Sequence, residues 1–392
     1  MPAALTTEMD RHDPSDLSSF NHHLSDLFSD LTSDSSSSSV LSLTWTRRLL
    51  DTFLISLEEF RFILQSSSAS LTRPPTDRFI TDFFDRAVKS LDLCTAVRDA
   101  IERVRNWQKH VQIIIGSLTG PDPLGEGPVR RARKAIGDLA IMMLDERDLP
   151  GSGSGPGFRN RSFARGSHHK DHHHGHGHAH SHGMGPHHRR SSSGGSGSSG
   201  NGHFRSLTWS VSRGWSATKQ LQAIGSGLTP PRGVGTSDMS ATVYTMGSVL
   251  FVSMLSLAAS LPCQCDRSGS LSGAHFTAPP RGFLWGPSVY SIYEKVIEEW
   301  KRREKKSNSG LLKEIGEIER ISRQLGEIID AAQFPLEKER EVEIKEVAHE
   351  LEKVSSVIKE GLDPLERQVR EVFNRLVRSR TEGLDSLNRP SD

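Results

Sequence analysis

SATVYTMGSVLFVSMLSLAASLPC, from Ser240 to Cys263, is the only long stretch of this chain that carries no charge and is rich in Val, Leu, Met and Phe. A helix needs about 20 mostly apolar residues to cross the hydrocarbon core of a bilayer, and this run is just long enough. Thr242, Thr245, Gly247, Ser248, Ser253, Ser256 and Ser260 dilute its apolar surface, and hydroxyls gain little from lipid. Two readings follow: a weak membrane-spanning helix over residues 242–261, or a helical bundle with one fully buried member.

Composition points to a regulatory or scaffold protein before a catalyst. The 392 residues allow two or three domains on length alone, yet only 34% are hydrophobic, so part of the chain is expected to lack a core. Lys+Arg 49 against Asp+Glu 48 gives a net charge of +1, and no global field steers the protein to nucleic acid or anionic lipid. Three cysteines, an odd number, argue against a disulfide framework and for a reducing compartment. The N-terminus MPAALTTEMDRHD has acidic residues and no apolar core segment, so it does not read as a secretory signal, and it lacks the glycine that myristoylation needs.

The chain divides by periodicity. Residues 1–40 are polar and serine-rich, though Leu17, Phe20, Leu24, Leu27, Phe28 and Leu31 recur at the spacing of a short amphipathic helix. Residues 41–149 read as helical throughout. Trp45, Leu49, Leu50, Phe53, Leu54, Leu57, Phe60 and Leu64 mark one face of a first helix, and LTRPPTDRF ends it, with Thr76 or Asp77 able to cap the next. Phe83, Ala87, Leu91, Cys94, Val97, Ile101, Val104, Val111 and Ile115 define the second, which stops at GSLTGPDPLGEGP. Pro128 suits the first turn of a third helix over Val129 to Leu144. Residues 150–239 form a long disordered His/Gly/Ser linker, broken by Leu207, Trp209, Val211 and Trp215 as a docking segment.

The apolar helix (240–263) and a loop (264–287) come next. Over 288–385 the pattern is helical again: Ile292, Val296, Ile297 and Trp300, then Ile315, Ile318, Ile321, Leu325 and Ile328, and after Phe334–Pro335 the series Val347, Leu351, Val354, Ile358, Leu365, Val369, Val372 and Leu376. This predicts a long C-terminal antiparallel helical hairpin, or two heptad-like helices docked onto the N-terminal ones, sharing a core with the Cys94 face and followed by a tail at 386–392. Pro364 predicts a break or kink near Leu362. The fold expected is an all-α, multi-helix bundle interrupted by the linker.

Candidate sites are few. The tract His168 to His188 offers His168, His169, His172, His173, His174, His176, His178, His180 and His182 as metal ligands. Glycine-punctuated histidines supply neither fixed geometry nor supporting partners, so adventitious binding is the plainer reading. Basic clusters (Arg130, Arg131, Arg133, Lys134; Lys301, Arg302, Arg303, Lys305, Lys306; Arg159, Arg161, Arg165) come without stacking aromatics or a recognisable module, which argues against nucleic acid. Anionic lipid is the better functional alternative to a simple solvated face. Cys263 and Cys265 form a C-x-C beside the apolar run, suited to palmitoylation or left as free thiols, and the linker serines Ser191 to Ser193 offer phosphorylation sites. No G-x-S-x-G, G-x-x-x-x-G-K-S/T or H-E-x-x-H occurs, so no catalytic residue, cofactor or small-molecule substrate is assigned.

The segments SLDLCTAVRDAIERVRNWQKH (90–110), GEGPVRRARKAIGDL (125–139), SLPCQCD, SVYSIYEKVIEEWKRREKK (288–306) and QVREVFNRLVRSRTEGLD (368–385) together resemble the plant BYPASS-related family. The resemblance implies an all-helical, non-enzymatic plant protein tied to developmental signalling, and a protein partner that for some members is an exocyst subunit.

The expectation is therefore a cytoplasmic, membrane-associated helical adaptor that binds partners through exposed helix faces, the hairpin first. The rival is a single-pass membrane protein. Lys219 and Arg232 before the run are matched by Arg267 and Arg281 after it, so charge sets no orientation. A spanning helix would also deny the two helical halves a shared core, which favours the buried one. A third reading, metal buffering by the His tract, predicts that deleting 168–188 abolishes function with the helices intact.

Overall fold

The computed structural model describes residues 14–33, 40–67, 74, 76–144, 215–231, 238–263, 275–303 and 309–387. All regular structure among them is helical. Residues 1–149 and 210–392 make one compact unit, and residues 150–209 lie outside the described residues.

Helix α1 (Pro14–Ser33) opens on a proline, whose fixed φ and missing N–H suit a first turn. It buries Leu17, Phe20, Leu24, Phe28 and Leu31 along one stripe, as its periodicity predicts. Helix α2 (Leu43–Ser66) is capped by the Ser42 hydroxyl, which accepts from the Trp45 N–H at 3.2 Å. Helix α3 (Thr76–Leu118) begins on Thr76 itself, and the Thr76 hydroxyl lies 3.3 Å from that of Ser240. Helix α4 (Glu126–Met143) starts three residues earlier than the Val129 expected from periodicity, with Glu126 in its first turn.

The long apolar run forms α6 (Met239–Ser260), capped by Asp238, and every one of its 22 residues is buried. Helices α1, α2 and α3 pack on it, together with α5 (Ala217–Gly225) and α7 (Gly286–Arg303). Most of its hydroxyls are bonded inside the protein, Ser253 Oγ being buried without a partner among the described residues. Thr245, Ser248, Ser256 and Ser260 each donate to the carbonyl four residues back, at 2.7–2.9 Å. Thr245 also accepts from the Trp285 indole N–H at 3.1 Å, and Ser260 lies 3.4 Å from the Thr46 hydroxyl. Thr242, Thr245, Ser248, Ser256 and Ser260, which make the run a poor membrane segment, are thus satisfied inside the core.

Around α6 runs a frame built on α3 and the 50-residue α9 (Lys338–Leu387), which at 1.5 Å per residue is about 75 Å long. The two are antiparallel. Gly383 of α9 approaches Phe84, Arg105 bonds Asp363 and Glu366, and Gln108 and Gln112 bond Ser355. Near the other end Leu124 N–H donates to Glu341 and Lys345 reaches the Asp122 carbonyl. The C-terminal half of α9 runs parallel to α2 through Arg47–Gln368, Glu58–Arg375 and Arg61–Glu382. Helix α8 (Lys313–Asp330) returns against α9 through Arg320–Glu350 at 2.7 Å and meets α4 through Arg133–Asp330 at 2.7 Å. Cys94 is fully buried in the core that α3 and α9 share, and burial pushes its thiol up to about 12.

Three expectations are corrected. The hairpin is α8 with α9 alone, because α7 leaves it to pack on α6 and α1. Of the break or kink expected near Leu362, the break does not occur: helix α9 runs on through Pro364, where packing on α3 and α2 outweighs one missing N–H. The expected linker 150–239 contains α5, whose Leu221 and Ile224 are buried although its surroundings are Gly- and Ser-rich.

Candidate interaction surface

The predicted sites fall in different places. The nine candidate histidines, the linker arginines, Ser191 to Ser193, Cys265, Lys305 and Lys306 lie outside the described residues, as do Leu207, Trp209 and Val211. Trp215 packs half-buried against the core. Among the described residues no group of His, Cys, Asp and Glu is placed to hold a metal ion. Cys263 is buried at the end of α6.

The basic cluster of α4 is half engaged: Arg130 pairs with Glu126 at 2.5 Å and Arg133 with Asp330, while Arg131 and Lys134 are exposed. On α7 Arg302 pairs with Glu299 at 2.6 Å, and Lys301 is exposed. A cavity lined by Val104, Trp107, Gln108, Met143, Ile315, Ile318 and Ile358 measures about 10 Å³, room for about one water and no substrate.

The ends of three helices are locked together where α6 stops. Leu311 and Leu312 N–H groups, at the entry to α8, donate to the Ala259 and Ser260 carbonyls at 2.9 Å, and Lys313 N–H donates to Leu41. These bonds satisfy the last two carbonyls of α6 with backbone N–H groups from the entry to α8. The Glu314 carboxylate accepts from the Leu43 N–H at 3.1 Å, at the start of α2. Burial raises its pKa, and the hydrogen bonds from its own N–H and that of Leu43 only partly oppose this. Arg103 donates to the Pro262 carbonyl at 2.8 Å.

The apolar stripe of the hairpin points inward, as expected of a core shared with the Cys94 face, and is not available to a partner. Ile315, Ile318, Ile321, Leu325, Leu351, Ile358, Leu365 and Leu376 are all buried. Large apolar side chains that do face solvent include Ile55 and Phe62 on α2, Ile141 and Leu144 at the end of α4, Phe334 at the hairpin tip, and Val342, Val357 and Val377 on α9. Phe62 is the most exposed at 58%, two turns from Ile55, with the Arg61 guanidinium 5.0 Å from its ring centre. Neither Ile55 nor Phe62 belongs to the face the sequence marks as core, and that mismatch is the signal that could have found them.

A family model described as protein ROH1-like matches residues 3–387. The chain is 45% identical over 387 residues to protein ROH1D of Arabidopsis thaliana, covering 95% of this chain and 89% of that one. It is 33% identical over 397 residues to protein ROH1A of the same plant, covering 95% and 90%. No solved structure matches it.

Proposed function

Because the chain belongs to the ROH1-like family of plant proteins, we propose that it is a non-enzymatic helical adaptor, akin to the BYPASS-related proteins, acting at the cytosolic side of membranes in secretion or development. Its partner in this reading is a protein, an exocyst subunit, met through exposed helix faces. The observation that carries the reading is the complete burial of α6. A helix surrounded by five others inside one bundle holds the two halves of the chain in one compartment, and membrane association is then peripheral. The Ile55–Phe62 stripe of α2 supplies apolar residues two turns apart, a spacing that helix-to-helix recognition uses.

Co-precipitation with candidate exocyst subunits tests the partner. Ile55→Glu with Phe62→Glu is expected to abolish capture with the fold intact, and charge reversal at Lys301 and Arg302 to leave it unchanged. Capture unchanged by the first pair removes α2 as the surface. The second reading, a single-pass protein, is favoured by one observation: α6 is long and apolar enough to span, with mean hydropathy 1.6. Carbonate extraction separates the two. Wild type that washes off, with a Leu250→Arg/Leu255→Arg variant that unfolds, supports the adaptor; wild type retained in the pellet and a variant released still folded support the span.

A further inference from the structure

Helix α5 is nine residues long, the shortest of the described helices, and an isolated helix of that length is unstable in water. Its form is imposed by the groove between α3 and α6 that it fills. Ala217, Leu221 and Ile224 are buried along one face, followed by Leu228 packed against the core. This is the anchor pattern of a helix lying in a groove.

What holds α5 is unusual in one respect: α3 grips its backbone. Arg86 donates from Nε to the Ile224 carbonyl and from Nη2 to the Ser226 carbonyl, both at 3.0 Å, and Lys89 Nζ reaches the Ala223 carbonyl at 3.2 Å. Two cations therefore cap the negative end of the helix and satisfy carbonyls that have no partner within it. One side-chain pair joins them, Gln220 to Asp92 at 3.1 Å. The fit also needs a glycine at the helix end, since a Cβ on Gly225 would lie 2.9 Å from the Phe251 ring. Arg86 is 9% exposed, and burial lowers its pKa while Asp82 and Asp85 partly oppose this. Its hydrogen bonds go to the neutral Ile224 and Ser226 carbonyls of this segment, which compensate a desolvated charge less completely than a carboxylate does.

We propose that the α3–α6 groove is a receptor for helix C-termini, that α5 is its resident ligand, and that a partner helix ending in Leu-x-x-Ile-Gly competes for it. The inference rests on the adaptor reading but assigns it a second surface, and its test uses no exocyst subunit, so either can fail alone. Main-chain capping reads the end of any helix, while the two anchors and the glycine select which. A partner engaging Arg86 and Lys89 would displace α5 and bring the adaptor's own segment to the surface as a signal of occupancy.

The experiment is fluorescence anisotropy of a labelled synthetic peptide of residues 215–231 against the full chain. With α5 expelled in cis by Leu221→Asp and Ile224→Asp, the peptide is expected to bind at least tenfold tighter than to wild type, and Arg86→Ala added to that chain should cancel the gain. A chain that keeps its helical content but does not bind the peptide overturns the proposal. So does a double variant that loses cooperative unfolding, because α5 is then an inseparable part of the core. Hydrogen exchange on wild type gives an independent readout: α5 amides exchanging well before those of α6 support a displaceable ligand, and exchange of both at one rate rules it out.

Discussion

Gly310 stands at φ +86°, where a Cβ would lie 2.7 Å from the Ser260 carbonyl oxygen and the Leu261 carbonyl carbon. No flexible side chain is there to yield; both atoms are backbone. Gly310→Ala is therefore expected to lose about 2–4 kcal/mol of stability, combining a strained φ with a backbone clash, as a lower urea midpoint will show. Glu314 next to this junction has a folded pKa raised above the ordinary 4.5. A raised carboxylate binds its proton more tightly in the folded state, so its contribution is full below pH 4.5 and is lost as pH rises through the folded value. Glu314→Gln keeps a neutral acceptor for the Leu43 N–H. It should be more stable than wild type at pH 7, with the difference vanishing toward pH 4 in thermal melts. Glu366 behaves oppositely. The hydrogen bond from Arg105 leads a set of cationic partners that lower its pKa against its own burial, so its share of stability is present above 4.5 and lost as pH falls through the folded value. Cys94 is the core position its place in the apolar series implies, whereas nothing in the sequence marks Glu314 or Arg86, because what surrounds them comes from distant residues.

At the scale of elements, periodicity located most helices because each buries a single stripe, and a stripe is visible at three-four spacing. It failed at α5, where nine residues carry too few apolar positions for a pattern to emerge from a Gly/Ser background. A break at Pro364, one of the two outcomes expected there, does not occur in α9. Proline forbids one hydrogen bond, yet α3 and α2 pack on that helix. Replacing Pro364 by Ala should restore the bond and raise stability by about 1–2 kcal/mol, less than the roughly 3 kcal/mol propensity difference because packing already fixes the path. Circular dichroism with urea unfolding will show it, and a destabilised variant would mean that the helix is shaped around the ring. In α6 the hydrophobic positions have no stripe at all, as expected of a helix buried on every side. Leu250→Ala should cost about 2–5 kcal/mol there, at a side chain with no exposed surface.

Over the whole molecule, helices from before residue 145 and after residue 214 make one core, with α2 and α3 set against α6 and α9. A protease site placed within 168–188 should therefore yield two pieces that stay together on size exclusion and separate only in denaturant. Deleting 168–188 should leave the melting temperature unchanged, whereas loss of the fold would show that this tract contributes to the core. The His tract was the most conspicuous chemical feature of the sequence, but the contacts that join the halves come from elsewhere.

The sequence by itself determined the helical class, the inward faces of α1, α2, α3, α8 and α9, and the presence of one helix apolar all round. Each of these is local, since it depends on side-chain type at a fixed spacing along one element. Only the tertiary structure decided that α6 is enclosed, that Ile55 and Phe62 face solvent, and that α5 sits on Arg86 and Lys89. Those depend on which surfaces meet. An apolar helix has the same composition whether lipid or five other helices surround it, and only the packing of residues far apart in the chain tells the two apart.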